Sequence, residues 1–381
     1  MKRRSWPWLA GIAIATAGCI FFLSSRFLPS AASTSDFNPR NFRLLGTVIE
    51  LIKYDYVEEP DPAKTMDGAF RGLVDSLDIL STYLAPAEKQ KFLETRKTAF
   101  KDTGVVLLMA YGSFPQVVGL VEGSPAARSG LKPGDAISSI NGRSTFGLNL
   151  TEARLALMSR AEGPFKIKVL RQARTLDMDL GLSPAAGPAV SFAPADGTAG
   201  ILSIRSLSTQ SAAEAKSVLA ARLKPGSSPL VLDLRNCWEG EAEEARQLVN
   251  LFLKADRIGS FVKRQGAADI LSCPREPAYE TVPLAVWTNL GTQGAAEIAA
   301  GVLRDFRRAK VIGQETPGLA ARTELLPLRD GSALLLTTGV FALNSGKKIW
   351  GDGVLPDGKV EARDDAPDGY LKKTIELWPS R

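Results

Sequence analysis

Histidine is absent from all 381 residues. That removes imidazole as a general base, as a metal ligand, and as the middle member of any Ser-His-Asp or Cys-His arrangement. Cysteine is scarce: three residues, too few for a zinc site of ordinary ligand count without histidine. No cofactor is implied. Any hydrolytic chemistry would have to run on a lysine base or a carboxylate. A basic stripe is missing too. The net charge is +6, but Lys2, Arg3, Arg4 and Arg26 lie before the first acid, Asp36, leaving about +2 spread over the remainder. Nucleic acid is therefore not an expected partner.

What is present is a chain of ordinary globular composition, 45% hydrophobic and 23% charged. It is too long for one core, and two or three domains are expected. Lys2-Arg3-Arg4 precede an uncharged apolar stretch, Ser5–Ser25, long enough as a helix to span the roughly 30 Å hydrocarbon layer. Positive residues ahead of it orient the rest of the chain outward. Three readings stand side by side: an uncleaved anchor, a signal peptide cut near Ser30-Ala31-Ala32, and a lipoprotein signal ending at Cys19. Each places the body outside the cytoplasmic membrane, in the bacterial periplasm or beyond, tethered to the inner membrane if the segment stays. In that oxidising space Cys237 and Cys273 either pair or remain unrelated thiols.

Residues 33–100 read as a polar linker followed by helices, with apolar residues at Leu44, Val48, Leu51 and Ile52 and again at Met66, Ala69, Phe70 and Leu73. Across 101–183 the period shortens. Val105–Leu108 and Gln116–Val121 read as strands, Ser124-Pro125 opens a brief helix, Asn141-Gly142 signals a hairpin, Thr151–Met158 is an amphipathic helix and Phe165–Leu170 alternates. Through 184–363 strands alternate with helices. The strands are Ile201–Ile204, Leu230–Leu234, Leu284–Trp287, Lys310–Ile312 and Ala333–Thr338; the helices are Ser211–Arg222, Glu241–Leu253 and Thr292–Arg307. That rhythm predicts an α/β (mixed) layer architecture, with 364–381 as a tail.

The run from Glu122-Gly123-Ser124-Pro125-Ala126-Ala127 through Gly130-Leu131-Lys132-Pro133-Gly134-Asp135 to Asn141-Gly142 resembles a PDZ domain of the bacterial protease type. Gly68–Leu73 with Ser81-Thr82-Tyr83-Leu84, Val231–Asn236, Glu297-Ile298, Asp330-Gly331-Ser332 and Gly353–Asp357 look like the carboxyl-terminal processing (tail-specific) serine peptidases. The resemblance implies a PDZ domain, here a partly open β-barrel with two helices, ahead of an α/β peptidase core. It also implies endopeptidases that cleave near protein C-termini with serine and lysine.

The positions to which the resemblance assigns that chemistry carry other residues. The nucleophile position, counted from Glu297, is Gly294, which cannot form an acyl-enzyme. The lysine base is Leu319 and its orienting glutamine is Thr323. The oxyanion region reads Asn236-Cys237-Trp238-Glu239-Gly240, with Ala295 completing it from the helix side, so Glu239 would put a carboxylate near developing negative charge. Thr292 is expected as a helix N-cap rather than a substitute nucleophile.

A catalytically degenerate relative, or pseudoprotease, is the expectation; an active peptidase using other residues and a purely structural envelope component are the alternatives. By resemblance Gly104, Val105, Val106 and Leu107 take extended peptide or protein C-termini by strand addition, and an active peptidase relative is a candidate partner.

Overall fold

The computed structural model describes residues 39–97, 103–158, 163–182, 188–195, 199–223, 229–361 and 367–378. The segment read as an anchor or signal, 1–32, lies outside the described residues. Among the described residues no helix is long and apolar enough to cross a membrane.

Residues up to Met66 form one unit and Asp67 onward another. The first contains α1 (Pro39–Asp55) and the opening of α2 (Pro62–Asp75). There the Asp61 carboxylate accepts from the N–H groups of Ala63 and Lys64, an N-cap in front of a first-position proline.

The purely helical segments expected up to Phe100 are corrected in the second unit. After Asp75 the chain turns about Asp78, whose carboxylate accepts from Leu80 N, Ser81 N and the Ser81 hydroxyl. It then runs as a short strand, β1 (Thr82–Leu84), before α3 (Pro86–Lys97). Three residues cannot announce a strand by alternation. This one exists because it adds to an edge over one hundred residues away in sequence.

A β-rich body follows: β2 (Val105–Leu108), β3 (Gln116–Leu120), α4 (Pro125–Arg128), β4 (Ala136–Ile140), β5 (Arg143–Ser144), α5 (Leu150–Ala156), β6 (Phe165–Arg171) and β7 (Arg174–Leu180). Its sheet order is β2-β3-β4-β6-β7, with β5 on β4. Alternate residues of β6, Phe165, Ile167 and Val169, point into a core shared with Val117, Ile137 and Leu150. Ser124 caps α4 from its hydroxyl and Pro125 fills the first position, as the sequence predicts. Arg171 grips the buried Asp135 carboxylate at 2.6 Å and ties the Lys132–Asp135 turn to the last core strand.

The remainder is an α/β core with a second sheet. β8 (Val190–Ala195), β9 (Ala199–Ile204), β10 (Leu230–Asp233), β13 (Leu284–Thr288), β14 (Ala309–Gly313) and β17 (Gly358–Lys359) form one sheet in the order β17-β14-β13-β10-β9-β8. Only the β8–β9 pairing in it is antiparallel. α6 (Ser211–Arg222), α7 (Ala242–Val249) and α8 (Ala295–Asp305) are the connections that parallel strands require.

Leu230 and Leu232 join the large core with α7 and α8, whereas Val231 faces Trp287 and Tyr370 on the side covered by α9 (Pro367–Leu377). This strand is apolar on both faces, as a central parallel strand must be. The second sheet, β1-β16-β11-β12 with β15 on β16, is antiparallel and uses β11 (Ala255–Val262), β12 (Asp269–Cys273), β15 (Ala321–Pro327) and β16 (Ala333–Leu343).

Two sequence expectations are shortened or lengthened. The helix expected to Leu253 stops at Val249, because the Asn250 amide bonds the carbonyls of Leu253 and Arg275 and turns the chain. The strand expected to end at Thr338 continues to Leu343, held by β11.

Candidate active site

β13 delivers the chain into a tight turn, Asn289–Gln293, and α8 begins directly after it. The Asn289 side chain accepts from Gly291 N and Asn236 N, so the turn is pinned to the loop after β10. Thr292 is fully buried; its hydroxyl donates to Leu234 O at 2.8 Å and accepts from Asn289 N. Thr292 is therefore not the N-cap expected of it. That position belongs to Gly294, at φ 59° and ψ −113°. Only glycine reaches this backbone conformation without strain of about 1–3 kcal/mol. A Cβ added there would find a single neighbour within 4 Å, the Leu319 carbonyl oxygen at 3.9 Å, so the restriction is conformational and not spatial.

Leu319 is brought to Gly294 by Glu297. This carboxylate, fully buried on the first turn of α8, accepts from Gly294 N (2.9 Å), the Thr316 hydroxyl (2.5 Å), Gly318 N and Leu319 N (both 2.6 Å). One side chain thus caps the helix and clamps the 316–319 loop across it. Burial outweighs those four donors and raises its pKa to about 7. Leu319, 7% exposed, belongs to the apolar core of the β2–β7 body together with Val105, Leu107 and Leu157. Thr323 stands on β15 just after a register shift.

Gly294, Leu319 and Thr323 line one cavity of about 420 Å³, together with Trp238, Glu239 and Gly240. Ala295 is buried as the first residue of α8, where position alone denies its N–H an intrahelical acceptor. Among the described residues no lysine or cysteine lines this cavity. Lys310, Lys347 and Lys348 are exposed elsewhere. Cys237 and Cys273 are buried free thiols. Burial, with Glu239 and Asp233 nearby, pushes the Cys237 thiol strongly up, away from the nucleophilic thiolate.

Gly104, Val105, Val106 and Leu107 lie on or beside β2, an edge strand of its sheet, and not on the cavity. All four are buried. Gly104 starts the strand at φ 76° with Ser124 so close that an added Cβ would lie 2.1 Å from the Ser124 Cβ. The two sites are joined by a residue the sequence does not single out. Gln293, 2% exposed, donates its amide to Leu107 O and Leu290 O, both at 3.1 Å, while its oxygen accepts from the Arg154 guanidinium.

Arg154, from α5, reaches into the cavity and lies over the Trp238 ring with 4.6 Å to the centroid. Burial lowers its pKa to about 10, partly offset by Glu239, so it stays charged at neutral pH. No sequence pattern says that a charged residue in an amphipathic helix is turned inward; only its packing partner does.

Comparison with known proteins agrees with this geometry. Residues 198–360 match peptidase family S41, and residues 116–171 match the PDZ domain. The carboxy-terminal processing protease CtpA of Bacillus subtilis (strain 168) is 32% identical over 346 residues, which span 90% of this chain and 73% of that protein. The carboxy-terminal-processing protease of Bartonella bacilliformis is 28% identical over 374 residues, 94% of this chain and 84% of that one. Among solved structures, a photosystem II D1 C-terminal processing protease superposes with a TM-score of 0.71 over 89% of this chain and 91% of that chain, at 22% identity, a likeness of fold.

Proposed function

The chain belongs to the carboxy-terminal processing proteases of peptidase family S41, and from that premise we propose that it is a non-catalytic member, which holds protein C-termini in the cell envelope without cutting them. The observation that carries this reading is the α8 N-terminus. Gly294 offers no hydroxyl there, and its neighbour across the turn is the apolar, buried Leu319. Acyl transfer needs a nucleophile and a base within hydrogen-bond reach of each other; a bare α-carbon beside an isobutyl group supplies neither. Glu239 on the same cavity adds a carboxylate where an oxyanion would need donors.

Binding is the activity left to such a molecule. Strand addition at β2 needs only backbone groups and apolar side chains, and Val105, Val106 and Leu107 on this edge strand support that reading, although the Leu107 carbonyl already accepts from Gln293. The N-terminal segment 1–32 would keep the body at the outer face of the inner membrane, where an active relative could share its ligands. The experiment is a titration of the purified chain into a fluorescein-labelled polypeptide with a free C-terminus. Anisotropy reports binding and mass spectrometry reports the fate of the probe. Saturable binding with the polypeptide recovered intact is expected. Fragments would overturn the non-catalytic part, and absence of saturable binding the peptide-holding part.

A further inference from the structure

The cavity lined by Gly294, Leu319 and Thr323 also contains a guanidinium, that of Arg154. Arg154 is half-buried, yet its Nε is shut off from solvent and has no hydrogen-bond partner among the described residues. Its guanidinium is held by two contacts that leave that donor unanswered: one amino group donates to the Gln293 oxygen, and the flat face rests on Trp238. A buried donor left unmade is costly, and a guanidinium presents a planar fork shaped for a carboxylate. The charge that opposes it is Glu239, an exposed residue at the cavity's edge. The rest of the lining is mixed: Phe92, Leu155, Leu207 and Leu335 are apolar, whereas Ser206, Ser208 and Thr323 bring hydroxyls and Glu241 a second carboxylate. A cation with an unanswered donor, apolar side chains beside hydroxyls and a volume of about 420 Å³ suit a few residues of chain ending in an acid.

We propose that this cleft is a second binding site for peptide C-termini, in which the terminal α-carboxylate pairs with Arg154 and the last side chains lie against the apolar residues of the lining. The inference rests on the non-catalytic reading of the same cleft, because a chain end lodged here fills the space beside Gly294 that a scissile bond would otherwise cross. It differs from strand addition at β2 in place and in chemistry. There backbone N–H groups receive the terminus; here a side-chain cation does. Gln293 connects the two, since it bonds both the β2 carbonyl of Leu107 and Arg154.

The test uses the full chain and an acetylated Leu-Ala-Ala tripeptide, as the free acid and as the C-terminal amide. The signal is the Trp238 share of the emission, taken as the difference between the wild type and Trp238→Phe. The acid should give a saturable change at least tenfold tighter than the amide. Arg154→Met should erase that preference, and Arg154→Lys, which keeps the charge but not the fork, should retain part of it. Equal affinity for acid and amide would overturn the proposal. So would an acid preference that survives Arg154→Met, or an acid-dependent signal with no Trp238 component, which would put the carboxylate at β2 alone. Should Arg154→Met fail to fold, the acid–amide comparison in the wild type still decides. Mass spectrometry of the same samples keeps the two ideas apart. A shortened tripeptide contradicts the non-catalytic reading, whereas an intact one bound without carboxylate preference contradicts only this site.

Discussion

Replacing Leu319 with lysine puts back the amine that the family chemistry calls for, into a pocket built for an alkyl group. Leu319 is 7% exposed within the apolar core of the PDZ body. The four-carbon stem can keep much of the packing, so the dominant cost is the charge. A lysine so buried titrates near pH 5–6, roughly 4–5 units below its free value of about 10.4. At pH 7 it must therefore fold neutral. The ~3.4 units between pH 7 and 10.4, at about 1.36 kcal/mol each, cost about 4.6 kcal/mol.

The sign follows from proton counting. Between the folded and unfolded pKa values the unfolded chain binds one proton more, so stability rises with pH by about 1.4 kcal/mol per unit and the penalty vanishes above about pH 10.4. Urea unfolding of Leu319→Lys against wild type at pH 7, 8 and 9 reads this as a gap that narrows stepwise. Equal stability at pH 7 with no pH dependence would refute the reasoning. It would mean that the lysine stays charged there, through water or through Glu297, and that the pocket is not the dry one described.

Other outcomes follow from the same geometry. Gly294→Ser should fold with a lower melting temperature, by the equivalent of about 1–3 kcal/mol of backbone strain, and should not cleave peptides by itself. Glu297 has a folded pKa raised from 4.5 to about 7, so its contribution is fully present below pH 4.5 and lost as pH rises through 7; urea midpoints should fall over that window by an equivalent of about 3 kcal/mol, and Glu297→Gln should flatten the slope. Gln293→Ala should speed hydrogen exchange along β2, as Leu107 O and Arg154 lose their shared partner. Cys237, fully buried with a raised pKa, should resist thiol reagents until the chain unfolds.

Much of the architecture was legible because its signals are local. Ser124-Pro125 caps and opens a helix from adjacent residues, and Leu230–Asp233 is apolar on both faces because both faces are covered. Elements that depend on distant partners were not legible. β1 is a strand only because β16 offers an edge, and β12 and β15 carry too many half-exposed residues to alternate cleanly. At the site, motif order led to Gly294, Leu319 and Thr323, and one cavity holds all three.

Where site and sequence differ, the causes are physical. Thr292 looks like a cap because threonine usually caps, but its hydroxyl is spent on Leu234 and Asn289. Arg154 and Gln293 carry no signal in the sequence, because a charged residue on a helix and an amide on a turn read as solvent-facing. Their burial comes from the meeting of the PDZ body with the core, which no short stretch of sequence encodes.

The central claim is that nothing at the α8 N-terminus can attack a peptide bond, and its most direct test is a count of new peptide ends. The purified chain and its Gly294→Ser/Leu319→Lys/Thr323→Gln variant are incubated with an unstructured polypeptide, and every terminus is identified by mass spectrometry. The account predicts no new termini from the wild type at any incubation time. Cleavage that follows the wild-type chain through purification, and disappears when a cavity hydroxyl such as Ser206, Ser208 or Thr323 is changed, would contradict it.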